Sequence, residues 1–140
     1  GLASSVDYCF ATKHAAVKLS ELAVGIGPFV VGPAVARKLG LAGMSDLAIN
    51  ATEWRSAEWA ATHGLYNDIF ESAQEMDDAL EALASKLLSS STEAMKGLKR
   101  VFWEGTEHWD ELLAERAAVS GELILSQEAK TAINKFKSKK

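Results

Sequence analysis

The sequence predicts an α/β fold that is mostly helical, and three observations predict it. Short runs with strand character alternate with helical stretches as far as residue 71. From Ser72 onward no strand signal remains, and apolar residues recur at three- and four-residue steps. The chain has 140 residues, 48% of them apolar and 24% charged, which is ordinary for one globular domain with a real core.

The first seven residues are small-sided and read as a buried helix entered part-way along. Residues 8–12 (Tyr-Cys-Phe-Ala-Thr) are aromatic, compact and free of breakers, as a strand requires. Lys13-His14 forms a polar turn, and residues 15–19 read as a second short strand. Pro33 at a first helical position and Gly40 just past the end bracket a helix over 34–39, with Arg37 and Lys38 in its last turn. Residues 41–50 continue as helix, with Met44, Leu47 and Ala48 on one face, and 51–54 are extended. Ser56 caps a further helix that stops at Gly64. Residues 65–70 form another strand, and the alternation favours parallel pairing.

In the second half, Met76, Ala79, Leu80, Leu83, Ala84, Leu87 and Leu88 mark a long amphipathic helix. Residues 89–92 break it, and Thr92-Glu93 is expected to cap the next helix. A second helix carries Met95, Leu98 and Phe102, and Gly105-Thr106 breaks again. Leu112, Leu113, Leu123 and Ile124 belong to a third, and Ser126 opens a fourth with Ala129, Ile133 and Phe136 on one side. This helical appendage either covers its own core or docks on another subunit, and the sequence favours the first. The four tryptophans (Trp54, Trp59, Trp103, Trp109) are expected at helix interfaces.

Composition excludes several functions. A net charge of −4 lacks the basic face that nucleic acid requires. One cysteine, Cys9, excludes an internal disulfide and a Cys-rich zinc site. Its apolar neighbours mark it as an inert thiol. His14 has no ligand neighbour at metal spacing, so no metal is expected. No apolar run approaches the roughly 18 residues of a membrane span, and no leader pattern is present; the expected location is cytoplasmic, without a membrane partner. Residues 130–140 hold five lysines and no acid, either a solvated tail or an anion site. The opening on small residues without Met leads us to expect the latter part of a longer protein.

The candidate chemistry lies in residues 18–40. Glu21 follows a short apolar run and precedes a loop rich in glycine and proline. Apolar surroundings disfavour the charged form of an acid, so a carboxylate so placed is a candidate for proton transfer.

Taken together, four stretches carry a resemblance. They are Gly1-Leu2-Ala3 with Asp7 and Ala11-Thr12; residues 19–28 (Leu-Ser-Glu-Leu-Ala-Val-Gly-Ile-Gly-Pro); Ser56-Ala57-Glu58-Trp59-Ala60 with Gly64-Leu65-Tyr66-Asn67; and the terminal residues 131–140. The ordered set resembles the crotonase (enoyl-CoA hydratase/isomerase) superfamily and covers essentially the whole chain. Gly1-Leu2 and the loop 27–33 are closest in pattern to methylglutaconyl-CoA hydratase-like members.

The resemblance implies that residues 1–71 are the C-terminal part of a β-β-α spiral core and 72–140 a helical trimerisation region. It implies assembly as a homotrimer or hexamer, with the N-terminal half of the same protein preceding Gly1. The substrate implied is an acyl-CoA thioester, coenzyme A being part of the substrate and no separate cofactor being needed. An oxyanion hole of two backbone N–H groups, both preceding this chain, would hold the thioester carbonyl. Glu21 falls on the second acid/base glutamate of the hydratases. Gly1 stands where they carry the first. Leu22, Pro28 and Phe29 join Gly1 around the substrate, and Phe136 and Lys139 match terminal-helix positions that meet the CoA of a neighbouring subunit.

One glutamate can still activate water for addition to a conjugated thioester, so a hydratase-like lyase is the first expectation. One glutamate also suffices to move a proton between C2 and C4, as in an enoyl-CoA isomerase. A non-catalytic acyl-CoA-binding or assembly module is the alternative from another class. Without the preceding half, residues 1–140 are expected to be inactive and prone to aggregate.

Overall fold

The computed structural model describes residues 1–138. Four strands and six helices follow in the order β1 (Phe10–Thr12), β2 (Ala16–Val17), α1 (Gly32–Ile49), β3 (Arg55–Ser56), α2 (Ala57–Thr62), β4 (Asp68–Phe70), α3 (Ala73–Leu88), α4 (Thr92–Phe102), α5 (Trp109–Ile124) and α6 (Gln127–Lys137). Two single 3₁₀ turns, Ala3–Ser5 and Leu22–Val24, lie among them. The α/β class with a helical second half is therefore the observed one.

The strands are shorter than the sequence reading made them. β1 pairs with β4 in parallel, Phe10 opposite Asp68 and Thr12 opposite Phe70, as the alternation implied. β2 and β3 pair antiparallel over two residues each, which corrects the expectation of uniformly parallel pairing. Residues 51–52 are a turn, and 53–54 lead from it into β3, rather than forming one extended run. The expected helix at 1–7 is also corrected. Only Ala3–Ser5 turns, because the Ser4 and Ser5 hydroxyls donate back to the Gly1 carbonyl at 2.8 and 2.9 Å, and Val6 is already extended.

α1 carries the expected Pro33 in its first turn and bends at Gly40, whose φ of 73° and ψ of 168° interrupt the helical geometry. The two predicted helices, 34–39 and 41–50, are the two arms of this kink. Val35 and Leu39 from one arm and Leu47 from the other meet Ala11, Leu19, Ala57, Ala60, Leu65 and Tyr66 in the core. Each of the larger side chains contributes about 1.5–3 kcal/mol by leaving water. Ala57 and Ala60 of α2 are fully buried and set how closely that helix approaches. Arg55 grips Asp46 with two hydrogen bonds of 2.8 Å, tying the end of α1 to β3. That grip, chiefly the Arg55 hydrogen bond, holds the Asp46 carboxyl below its usual range.

Ser56 and Ser126 cap the helices expected of them, whereas α4 is capped by Ser91 and not by Thr92. The hydroxyls of Ser56, Ser72, Ser91 and Ser126 each accept the backbone N–H three residues on. Within the helical half α6 buries Ala129, whereas α3, α4 and α5 contribute no fully buried residue. Their apolar faces leave Leu88 and Val101 among the exposed large side chains. Trp59 stacks on His63 and Trp103 meets Trp109, but Trp54 is 64% exposed and is no interface residue within this chain. No helix among the described residues is long and apolar enough to cross a membrane.

Candidate active site

The backbone around Glu21 is held from both ends. Buried Leu19 anchors the approach, and the Glu21 carbonyl accepts the N–H groups of Val24 and Ile26, each at 3.1 Å. The 3₁₀ turn that follows closes on Gly25, whose φ of 81° lies in the left-handed region. α6 lands on this glycine. A Cβ at Gly25 would stand 2.9 Å from the Cα of Ala129, which is itself fully buried. The last helix thus presses directly on the turn that begins at Glu21.

One oxygen of the Glu21 carboxylate, Oε2, is buried without a hydrogen-bond partner. A buried polar oxygen left unpaired is costly, and such atoms are few in folded proteins. Glu21 lines a cavity of about 530 Å³. One side of the cavity is formed by Gly1, Ser5 and the loop through Pro28 and Phe29 into α1; the other by Trp103, Trp109, Leu113 and Ser120. Among the described residues no second titratable side chain lines it.

The second wall is held in place from behind. The Trp103 indole N–H donates to Asp7 Oδ1 at 2.6 Å, and Lys99 donates to Asp7 Oδ2 at 2.6 Å. The Arg37 guanidinium lies 4.1 Å from the Trp103 ring centre, and Trp109 meets Trp103 edge-on at 5.9 Å. Burial pushes the Asp7 carboxyl upward. The hydrogen bonds from Lys99 and Trp103, with the charges of Lys99 and Arg37, outweigh it and leave the net shift downward. Arg37 Nη1 donates to the Phe102 carbonyl at 3.0 Å, so α1 and α4 are joined at the same place.

Among the sequence-derived candidates, Glu21, Gly1, Pro28 and Phe29 converge on this cavity. Leu22 does not line it and is 52% exposed. Phe136 is 63% exposed on α6 and is not part of the cavity lining. Lys139 lies outside the described residues. Cys9 is a free thiol that burial pushes up, opposed by Lys38, which fits the inert reading. His14 is exposed, as expected. Trp103, Trp109, Ser120 and the Asp7 support were not foreseen as parts of a site. The available signal was a tryptophan on each side of the Gly105-Thr106 break, where a tight connection brings both rings to one end of two helices.

Short strands and a kinked helix, backed by a helical half, thus present an acid to an apolar cavity. The comparisons identify the family. The family model for enoyl-CoA hydratase/isomerase matches residues 1–140, and the chain belongs to that family. Among solved structures, the enoyl-CoA hydratase/isomerase from Pseudoalteromonas atlantica T6c is similar with a TM-score of 0.85 at 21% identity, over 99% of this chain and 56% of that one. A carnitinyl-CoA dehydratase from Mycobacterium avium 104 is similar with a TM-score of 0.80 at 27% identity, over 99% and 56%. The enoyl-CoA hydratase from Bacillus halodurans gives 0.84 at 18%, over 95% and 53%. Among curated proteins none matches. The chain spans little more than half the length of these solved structures.

Proposed function

We propose that this chain supplies the acid/base side of an enoyl-CoA hydratase-like site that adds water to, or removes it from, an acyl-CoA thioester. The observation that carries the reading is the unpaired, buried oxygen of Glu21 beside an apolar cavity. In hydration, Glu21 takes a proton from water, the resulting hydroxide bonds to C3, and the C2–C3 π electrons move into the thioester as an enolate. Protonation at C2 by Glu21 completes the addition and restores the carboxylate. Such proton transfer is worth about 10²- to 10⁴-fold. The enolate is stabilised by backbone donors from residues preceding Gly1, as the family resemblance implies.

A second reading rests on one observation: among the described residues, Glu21 is the one titratable side chain lining the cavity. A lone carboxylate can lift a proton from C2 and return it at C4, which is double-bond isomerisation. The third possibility is a silent acyl-CoA-binding or assembly module. Assembly as a homotrimer or hexamer is part of the proposal, supported by the apolar side chains that α3–α5 leave uncovered, such as Leu88 and Val101.

The test uses the full-length polypeptide containing residues 1–140, incubated with crotonyl-CoA and with a 3-enoyl-CoA. Loss of enoyl absorbance reports hydration. A gain from the 3-enoyl thioester reports isomerisation, and binding without change reports the silent module. Glu21→Gln lowers turnover at least about 100-fold with assembly preserved; full activity in that variant removes Glu21 from the chemistry.

A further inference from the structure

We propose that Ala129, held in place by the Ser126 cap, is a positioning residue for Glu21: the first turn of α6 fixes the backbone from which the acid acts. This rests on the hydratase-like reading above. The turn that carries the acid is short and closed by hydrogen bonds. Glu21 is helical in its own backbone, with φ of −61° and ψ of −42°. The Gly25 N–H donates to the Leu22 carbonyl at 3.2 Å, and the Ile26 N–H returns to the Glu21 carbonyl at 3.1 Å. Glu21 and Gly25 are thus the two ends of one hydrogen-bonded turn, and a displacement of Gly25 is passed to Glu21 through those bonds.

Ala129 meets that turn backbone to backbone. A Cβ on Gly25 would lie 2.9 Å from the Ala129 Cα, 3.1 Å from its N and 3.2 Å from its Cβ, so a bare glycine on one side and a methyl group on the other set the spacing. Ala129 is the third residue of α6 and has no exposed surface. Its N–H is one of the first-turn amides that a helix leaves without a backbone acceptor. The Ser126 hydroxyl accepts it at 3.1 Å, and the Ser126 carbonyl accepts the Lys130 N–H at 3.2 Å. The cap therefore does more than start the helix: it fixes the residue that seats the turn. A larger side chain at 129 cannot be absorbed by a rotamer change across the contact, because Gly25 offers only main-chain atoms. The turn has to move instead, and a misplacement of about 1 Å at a reacting group costs about 10²-fold in rate.

The experiment measures kcat and KM of the full-length polypeptide for crotonyl-CoA, per folded molecule, in Ala129→Val, Glu21→Gln and the double variant. Ala132→Val, further along the same helix, controls for the poor helix propensity of valine. Ala129→Val is expected to lower kcat about 10- to 100-fold with KM held within about twofold, while Ala132→Val keeps kcat within about twofold of wild type. In the Glu21→Gln background Ala129→Val is expected to have no further effect, since it acts through the acid. Ser126→Ala lowers kcat in the same sense, and Ser126→Thr, which keeps a capping hydroxyl, restores it. That pair decides the matter if Ala129→Val does not fold. A wild-type kcat in Ala129→Val, or an equal fall in both backgrounds, overturns the positioning role; so does an equal kcat in Ser126→Ala and Ser126→Thr. Should Glu21→Gln turn over crotonyl-CoA as fast as wild type, the hydratase-like reading falls and the role of Ala129 with it. With Glu21→Gln depleted of activity, a fully active Ala129→Val overturns the role of Ala129 alone.

Discussion

Replacing Gly25 by alanine tests whether the last helix truly seats the turn that carries Glu21. Two costs add. A residue with a side chain at φ of 81° enters the left-handed region, at about 1–2 kcal/mol. The new Cβ would lie 2.9 Å from the Cα and 3.1 Å from the N of Ala129. Those are backbone atoms that no rotamer change can move aside, and such overpacking costs about 1–3 kcal/mol. The sum is about 2–5 kcal/mol. Gly105 provides the control: its φ is 82°, but nothing lies within 4 Å of a Cβ built there, so only the backbone cost applies. The assay is thermal unfolding of the full-length polypeptide, paired with turnover of crotonyl-CoA. At about 2–4 °C per kcal/mol, Gly25→Ala lowers Tm by at least about 4 °C, and by more than Gly105→Ala does. Equal drops in Tm for the two variants would refute the contact between α6 and the turn.

Asp7→Asn removes the charge on which Lys99 and the Trp103 N–H converge, and is expected to cost about 1 kcal/mol after allowance for the partial exposure of both ionic groups. Because the folded-state pKa of Asp7 is depressed, its contribution is present above the ordinary aspartate range and lost as pH falls through the lower folded value. The gap in Tm between wild type and Asp7→Asn therefore closes on acidification below about pH 4; a gap that widens there contradicts the assignment. Gly97→Ala within α4 and Gly121→Ala within α5 place a methyl group where nothing lies within 4 Å in this chain. Each is expected to stabilise by about 0.5–1 kcal/mol, and a loss of stability at either would show that another surface packs there. Cys9 is expected to react with a thiol reagent more slowly in the native protein than in denaturant, since burial raises its pKa; equal rates would count against its inert reading.

The helical scaffold was largely legible because its signals are local. Pro33 and Gly40 mark the limits of one arm of α1, and four serines mark helix starts by a hydrogen bond that spans only three residues. Glu21 was legible for the same reason, an acid amid glycine, proline and apolar neighbours. The short strands were overextended, since β-propensity at Leu65 or Leu19 also serves a residue that is simply buried. The tryptophan wall was not legible. Periodicity reports which side of a helix is apolar but not what that side faces, and Trp103 meets Asp7 across most of the chain. For the same reason periodicity leaves open what covers the apolar faces of α3–α5, which contribute no fully buried residue within this chain.

The seat of α6 on Gly25 also imposes an order in time. About a hundred positions separate the turn from Ala129, so at roughly 5–20 residues per second the ribosome has several seconds of work left after the acid emerges. Through that interval Glu21 belongs to an unfinished loop, and a nascent chain stopped short of the last helix carries the acid without the clamp that orients it.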